Sequence, residues 1–165
     1  MFTLILLHLL VTSPKLLHVS DGDTIVMKTD DGFEVRGRLI GIDCPEVPHK
    51  AARGRKKQPG QALGEEAKAR LETLLKQPFS AKSYGSDVYG RSLVELKLAD
   101  GKIANLSLVE EGYCEVYRKA NKRGEAFNLV PYDEAEKRAR QAKKGIWGLA
   151  HYEPPGVYRR RYLRD

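Results

Sequence analysis

The stretch that decides the fold runs from Arg36 to Glu46 and reads RGRLIGIDCPE. A short apolar segment bounded by Gly37 and Pro45 predicts a buried strand, which we extend over Phe33 to Ile42. Proline fixes its own φ and biases the preceding residue toward extended backbone, so the strand has a stiff exit. The carboxylates of Asp43 and Glu46 lie on this exit. Such a pair could bind a hard cation, activate a water molecule or only cap a turn.

A second pair of carboxylates lies upstream, in Asp21-Gly22-Asp23-Thr24. The alternation that follows predicts a strand on which Asp23 shares the apolar face. Because an unpaired carboxylate facing a core is costly, we expect Asp23 to contact a cation or strong donors. The turn signal at Asp31-Gly32 joins this strand to the next, in which Gly37 predicts a bulge. Asp23 and Asp43 are therefore expected to converge.

The rest of the chain predicts helices mixed with strands. Leucines and alanines spaced from Leu63 to Leu75 predict an amphipathic helix that ends before Pro78. We further predict a short strand at 16–20 and strands at 79–84 and 92–98 around the turn at 87–91. One helix is predicted at 106–111, capped by Asn105 and closed by Gly112. Another runs from Asp133 to Lys144, with a capping box to Glu136 and a stop at Gly145, and Trp147 is expected in the core. The pattern alone fits a small antiparallel barrel with helices, or another small α+β fold.

The charge balance favours an anionic partner. The chain has 165 residues and a formal net charge of +7. Nucleic acid is the first candidate partner and an anionic membrane the second, while ordinary solubility charge is the plainer explanation. The predicted loop at 47–61 contains basic residues without an acid, which suits phosphate contacts but also a solvated loop; these are Lys50, Arg53, Arg55, Lys56 and Lys57.

The two cysteines exclude a disulfide-dense scaffold and a cysteine zinc site. Cys44 and Cys114 could pair if the protein is exported, or remain free thiols.

The two ends of the chain predict separate segments. Residues 1–15 contain an apolar run that is too short to span a bilayer as a helix. This run could be a signal sequence or anchor, or an extra strand or helix docked on the barrel. We expect one domain at 16–149, followed at 150–165 by a basic tail that includes Arg159 and forms a strap with a poorly ordered end.

Three motifs occur in a fixed order: Asp21 to Thr24, Arg38 to Glu46, and Tyr89-Gly90-Arg91. In this order and spacing the chain resembles the staphylococcal nuclease family, and the resemblance continues through Gly145-Ile146-Trp147. It implies an α+β fold, namely an OB-fold five-stranded β-barrel with three α-helices. It also implies a calcium-dependent endonuclease that hydrolyses DNA and RNA with low sequence specificity and leaves 3′-phosphate ends.

The resemblance also implies roles for single residues. Asp23, Asp43 and the main-chain carbonyl of Cys44 would hold Ca²⁺, with Asp21 either near the metal or only capping its turn. Arg38 and Arg91 would contact the phosphate, and Glu46 would act as general base.

Substrate contacts and cellular context are further expectations. Substrate-binding candidates are Lys50, Arg53, Tyr113 and Tyr117, while Val88 stands where the family has a lysine. We expect a monomer that acts on single- and double-stranded DNA and RNA and has no obligate protein partner. We expect it to be secreted or periplasmic, with a cytoplasmic location as the alternative. The rival functions are a non-catalytic nucleic-acid-binding module and a structural or membrane-associated subunit.

Overall fold

The computed structural model describes residues 10–11, 13–50, 58–120 and 127–162. This part of the chain forms an α+β fold. Its elements are β1 (Leu10–Val11), β2 (Lys15–Asp21), β3 (Thr24–Lys28), β4 (Glu34–Leu39), β5 (Ile42–Asp43), α1 (Gly64–Leu74), β6 (Phe79–Ser86), β7 (Ser92–Leu98), α2 (Ala104–Glu110), β8 (Glu115–Val116), α3 (Val130–Gln141), a 3-10 helix (Gly145–Gly148) and α4 (Pro155–Tyr162).

Six strands form the main sheet, in the order β1-β6-β7-β4-β3-β2. Neighbouring strands are antiparallel except for β4 and β7, which run parallel. Within the described residues β1 and β2 are edge strands, so the sheet is open. The expected closed five-stranded barrel with three α-helices is therefore corrected to an OB-fold-like open sheet with four α-helices in the described part of the chain. The reason is that β1 pairs with β6 at one edge, while β5 leaves to pair with β8 in a separate sheet.

The strand predicted at 33–42 is broken, because β4 ends at Leu39. Gly41 has φ +82°, and a Cβ at this position would lie 2.4 Å from Cε1 of Phe127. Only glycine accepts both conditions without strain, and the turn sends β5 toward β8 instead of along the main sheet. Gly37 forms no bulge, since the pairing of β3 with β4 runs regularly through Ile25 and Gly37.

The amphipathic helix is confirmed as α1, which buries Ala67, Leu71 and Leu74. These side chains join a core that lies between the main sheet and the helices. Buried members from the strands and α2 include Ile25, Met27, Leu39, Leu96 and Leu108.

Two predicted helix caps are wrong, because both polar residues are buried inside their helices. Asn105 lies within α2, donates to the carbonyls of Ile40 and Val94, and accepts from the N–H of Leu96. Glu136 lies within α3 and accepts a hydrogen bond from the N–H of Val116. Each side chain satisfies main-chain groups of other segments of the chain rather than its own helix end.

The end of α3 also differs from the prediction. The helix ends at Gln141 rather than Lys144, and Gly145 begins the 3-10 helix. Within it Ile146 is the fully buried side chain, whereas Trp147 is half-buried against Tyr152 and the guanidinium of Arg140. Gly112 closes α2 at φ +78°, as predicted.

Both terminal segments contribute to the fold. Leu10–Val11 is an extra strand on β6, which matches one of the two alternatives for these two residues, while residues 1–9 and 12 lie outside the described part. The expected strap with a disordered end is wrong through Tyr162, because α4 is a helix with Tyr158 buried. The division at residues 15 and 149 stays a prediction. None of the helices in the described part of the chain has both the length and the apolar character to cross a membrane.

Candidate active site

Asp23 and Asp43 converge on one guanidinium. Both carboxylates are buried, each residue being 2% exposed. Arg38 donates from Nη1 to Oδ1 of Asp23, and from Nη2 to Oδ1 of Asp43 at 2.8 Å. The predicted convergence is therefore confirmed, and the cation that each buried carboxylate requires is Arg38.

The sheet register places these groups side by side. Thr24, directly after Asp23, pairs with Arg38 across β3 and β4. The turn before β3 packs closely on the exit of β5, because a Cβ on Gly22 would lie 2.8 Å from Cβ of Cys44. The N–H of Cys44 donates to Oδ2 of Asp23 at 2.8 Å. The two carboxylate-bearing segments are thus joined through the main chain as well as through Arg38.

Asp21 closes the turn of which it is part. Its Oδ1 accepts the N–H of Asp23 at 3.0 Å. Burial raises the pKa of the Asp21 carboxyl, and the positive charges of Arg38 and Arg91 work against that rise. Asp21 therefore caps its turn, one of the two roles expected of it, and lies within the field of both arginines.

Cys44 and Cys114 form a disulfide, which decides between the two alternatives for these residues. Both cysteines are buried. The bond ties the exit of β5 to the segment just before β8. The side chain of Cys44 is engaged in this bond, and the predicted metal ligand at this position is its main-chain carbonyl.

Glu46 lies next to Asp43, and both contact an arginine that the sequence did not predict in the site. Arg159 of α4 donates from Nη1 to Oε1 of Glu46 at 2.7 Å and to Oδ1 of Asp43 at 2.9 Å. Its Nη2 donates to Oδ2 of Asp43 at 2.7 Å. Burial disfavours the guanidinium charge, but the hydrogen bonds and charges of Asp43 and Glu46 outweigh this and raise the pKa of Arg159. Pro155 at the start of α4 was the available helix signal.

Arg91 stands at the margin of this cluster. Its Nε donates to Oδ2 of Asp87 at 2.7 Å within the turn between β6 and β7. Its positive charge opposes the rise that burial causes in the pKa of the Asp21 carboxyl. Arg91 is thus oriented by Asp87, and its charge acts on Asp21 from the turn between β6 and β7.

The comparison with known proteins identifies the family. The sequence profile described as "Staphylococcal nuclease homologue" matches residues 36–148. The chain belongs to the staphylococcal nuclease family. The matched range includes Arg38, Asp43, Cys44, Glu46 and Arg91. It starts after Asp23 and ends before α4.

Several relatives carry endonuclease names. Probable endonuclease LCL3 of Eremothecium gossypii is 35% identical over 132 residues, which are 75% of this chain and 44% of that protein. Endonuclease Htp3 of Saprolegnia parasitica is 32% identical over 168 residues, covering 89% of this chain and 75% of Htp3. An uncharacterized endonuclease of Escherichia coli O157:H7 is 31% identical over 148 residues, covering 89% of this chain and 84% of that protein.

The predicted substrate residues of this nuclease-family chain do not all gather at the site. A cleft of about 660 Å³ opens beside Asp43, and Tyr117, 40% exposed, lines it. Tyr113 instead packs against the hydrophobic core, and Lys50 is exposed outside the cleft. Arg53 lies outside the described residues. The cleft also takes residues that the sequence reasoning did not choose, namely Tyr89, Arg118, Lys119 and Arg160.

The acidic side chains of the site are of the chemical type that binds a hard divalent cation. Asp21, Asp23, Asp43 and Glu46 offer carboxylate oxygens, the ligand type that calcium and magnesium prefer. Over the described ranges, however, no three acidic, histidine or cysteine side chains close around a common ion position. The guanidinium groups of Arg38 and Arg159 occupy the carboxylate oxygens instead.

Proposed function

We propose that this protein is a calcium-dependent endonuclease that hydrolyses phosphodiester bonds of DNA and RNA with low sequence specificity and leaves 3′-phosphate ends. The observation that carries the proposal is the position of Arg38 between Asp23 and Asp43, with Glu46 beside them. Family membership and the endonuclease names of the relatives support the same reaction class.

The chemistry assigns each group a task. A phosphodiester is anionic, so the site must neutralise it before a water molecule can attack phosphorus. Arg38 and Arg91 would contact the phosphate oxygens, because guanidinium groups fork onto phosphate and remain charged at any working pH. Glu46 would accept a proton from the attacking water, which contributes about 10²–10⁴-fold. The new P–O bond forms as the bond to the 5′ oxygen breaks, and that oxygen takes up a proton.

The proposed role of the metal is electrostatic. Calcium bound by Asp23, Asp43 and the Cys44 carbonyl would add Lewis-acid stabilisation of the negative charge that develops at phosphorus.

The residues that line the cleft beside Asp43 support binding of nucleic acid with little sequence specificity. Tyr89 is 80% exposed and Tyr117 is 40% exposed, so both offer ring faces on which bases can stack. The basic side chains of the cleft are Arg118, Lys119, Arg159 and Arg160. Stacking and phosphate contacts bind strongly but carry little sequence information.

We also propose that the enzyme is monomeric and secreted or periplasmic. The Cys44–Cys114 disulfide supports this location, because such bonds persist in oxidising compartments.

One observation favours a second candidate, a non-catalytic nucleic-acid-binding module. Arg159 pairs with both Asp43 and Glu46, which leaves the proposed base and a proposed metal ligand engaged. Catalysis therefore requires that Arg159 move.

A cleavage assay separates the two candidates. The full chain is incubated with end-labelled single-stranded DNA, duplex DNA or RNA, in calcium, magnesium or chelator. We expect cleavage in calcium, loss of cleavage in chelator, and products extended by polymerase only after phosphatase treatment. Glu46→Gln should lower turnover by about 10²–10⁴-fold, whereas Glu66→Gln, on the exposed face of α1, should match the wild type.

Nucleic-acid binding without cleavage would establish the module instead. Cleavage that survives chelation would remove the metal from the proposal.

A further inference from the structure

The C-terminal helix α4 brings a cation into the acidic site from outside the residues that the family profile matches. The family profile ends at Gly148, whereas Arg159 lies in α4 (Pro155–Tyr162). The two carboxylates that it contacts are 116 and 113 residues away in sequence. This contact therefore comes from a helix that lies beyond the residues matched by the family profile.

The helix is seated on the site by more than the arginine. Tyr158 is buried, and its hydroxyl accepts the N–H of Gly60 at 3.1 Å. Gln61 bridges the two segments, since its Nε2 donates to the carbonyl of Glu153 and its Oε1 accepts the N–H of Glu46. The backbone of α4 also comes close to Asp43, because a Cβ on Gly156 would lie 4.0 Å from Oδ2 of Asp43. These contacts hold the guanidinium at one position.

Arg159 and a divalent ion compete for the same groups. The guanidinium engages both oxygens of Asp43 and one oxygen of Glu46. A divalent cation on Asp43 would stand beside a fixed positive charge, and like charges at such short range in a buried site repel strongly.

We infer that Arg159 is a built-in counter-cation that closes the acidic site until a divalent metal ion displaces it. The inference rests on the proposed function, because it treats Asp43 as a metal ligand and Glu46 as the base. Its consequence is a lowered metal affinity: a site that is mostly in the arginine-closed state binds its ion more weakly, by the fraction of molecules that are open. The C-terminal helix thus sets the calcium concentration at which the site becomes competent.

Calcium binding without nucleic acid tests the inference. Isothermal titration of CaCl₂ into the full chain gives the dissociation constant for the wild type, Arg159→Gln and Arg161→Gln. We expect Arg159→Gln to bind calcium roughly tenfold or more tightly than the wild type, which corresponds to a site closed in about nine molecules of ten. Arg161→Gln removes the same charge from α4. It breaks an ion pair with Glu153 and cation–π contacts with Tyr158 and Tyr162, none of which involves Asp43 or Glu46, so this variant should bind calcium like the wild type.

Arg159→Lys supplies a second variant in case Arg159→Gln folds poorly, which circular dichroism would report. Lysine keeps the charge but loses the fork, so its calcium affinity should fall between those of the wild type and Arg159→Gln. Equal or weaker calcium binding by Arg159→Gln and Arg159→Lys would overturn the inference, as would equal tightening by Arg161→Gln. Absence of calcium binding in every variant would overturn it too.

The proposed function is judged separately by cleavage. If the wild type cleaves nucleic acid in calcium but Arg159→Gln binds calcium no more tightly than the wild type, the nuclease proposal stands and the counter-cation inference fails. If the protein never cleaves nucleic acid but Arg159→Gln binds calcium more tightly than the wild type, the counter-cation inference stands and the nuclease proposal fails.

Discussion

The main-chain N–H of Cys44 donates a 2.8 Å hydrogen bond to Oδ2 of Asp23, across 21 residues of chain. This contact fixes the exit of β5 against the turn before β3. The other oxygen, Oδ1 of Asp23, accepts from Arg38 and from the hydroxyl of Thr24. A buried carboxylate with its two oxygens paired in this way holds its position without help from solvent, so the acidic site is preorganised by the fold.

Replacement of Arg38 should damage both activity and stability. Arg38→Ala removes a preorganised charge donor and should raise the reaction barrier by about 3–4 kcal/mol. It also leaves the buried Asp23 without its counter-charge, whereas Asp43 keeps Arg159. Breaking a buried ion pair in this way costs roughly 3–5 kcal/mol of folding free energy. Cleavage kinetics on the folded fraction and urea denaturation measure the two effects. Arg36→Ala, an exposed arginine on the same strand, is the matched control and should change neither by much. Full activity in Arg38→Ala would remove this residue from the phosphate site.

Asp87 should stabilise the fold in a pH-dependent way. Burial opposes ionisation of this carboxyl, but hydrogen bonds from Arg91 and from the N–H of Tyr89 outweigh it and lower its pKa below the ordinary value of 3.8. A depressed pKa means that the stabilisation is fully present above pH 3.8 and is lost as the pH falls through the lower, folded-state value. The unfolding free energies of wild type and Asp87→Asn should therefore differ at neutral pH and approach each other in acid.

The same variant tests how Arg91 is oriented. Without the carboxylate on its Nε, Arg91 should bind phosphate less well, so Asp87→Asn should reduce activity while Asp100→Asn, in an exposed turn, should not. For the stability prediction, a difference in unfolding free energy between wild type and Asp87→Asn that widens in acid would contradict the lowered pKa of Asp87.

Reduction of the disulfide should destabilise the protein. Cys44 and Cys114 are separated by 70 residues, and cross-links over loops of this size contribute about 2–5 kcal/mol. Chemical denaturation with and without reductant measures the difference. The double variant Cys44→Ala/Cys114→Ala is the control, because it should resemble the reduced protein and ignore the reductant. Alkylation of two thiols in the unreduced, denatured protein would show that the bond is absent.

Asn105 should be a large stability determinant although it is far from the chemistry. It is fully buried, and its side chain satisfies the carbonyls of Ile40 and Val94 and the N–H of Leu96. Asn105→Ala should cost about 2–4 kcal/mol, since each buried polar group left unpaired costs roughly 1–3. Asn128→Ala removes an exposed contact to Val130 at the start of α3 and should cost about 1 kcal/mol or less. Thermal or urea unfolding compares the two, and similar losses would contradict the bridging role of Asn105.

Local patterns predicted the elements whose determinants are local. The spacing of Ala67, Leu71 and Leu74 is sufficient for α1, because an amphipathic helix needs only periodicity and a partner surface. The strands at 79–84 and 92–98 were predicted for the same kind of reason and lie within β6 and β7. The convergence of Asp23 and Asp43 was also predictable, since Asp23 directly precedes the first strand of the β3–β4 hairpin and Asp43 follows soon after its second strand.

Features set by distant contacts were not predictable. The apolar run around Gly41 reads as one strand, yet Phe127 occupies the space beside Gly41 and the chain turns. Asn105 and Glu136 have the residue types and positions of helix caps, but packing buries them against other strands. In each case a neighbour far along the chain decides the role.

By itself the sequence determined that this is an α+β protein of the staphylococcal nuclease family, with acidic strand ends and two arginines in fixed order. Only the tertiary structure decided that the sheet stays open over the described residues, that Cys44 bonds to Cys114, and that Arg159 closes on Asp43 and Glu46. The physical reason is that periodicity and turn chemistry act over a few residues. Pairing of edge strands, of thiols and of buried charges depends on groups that only the folded chain brings within reach.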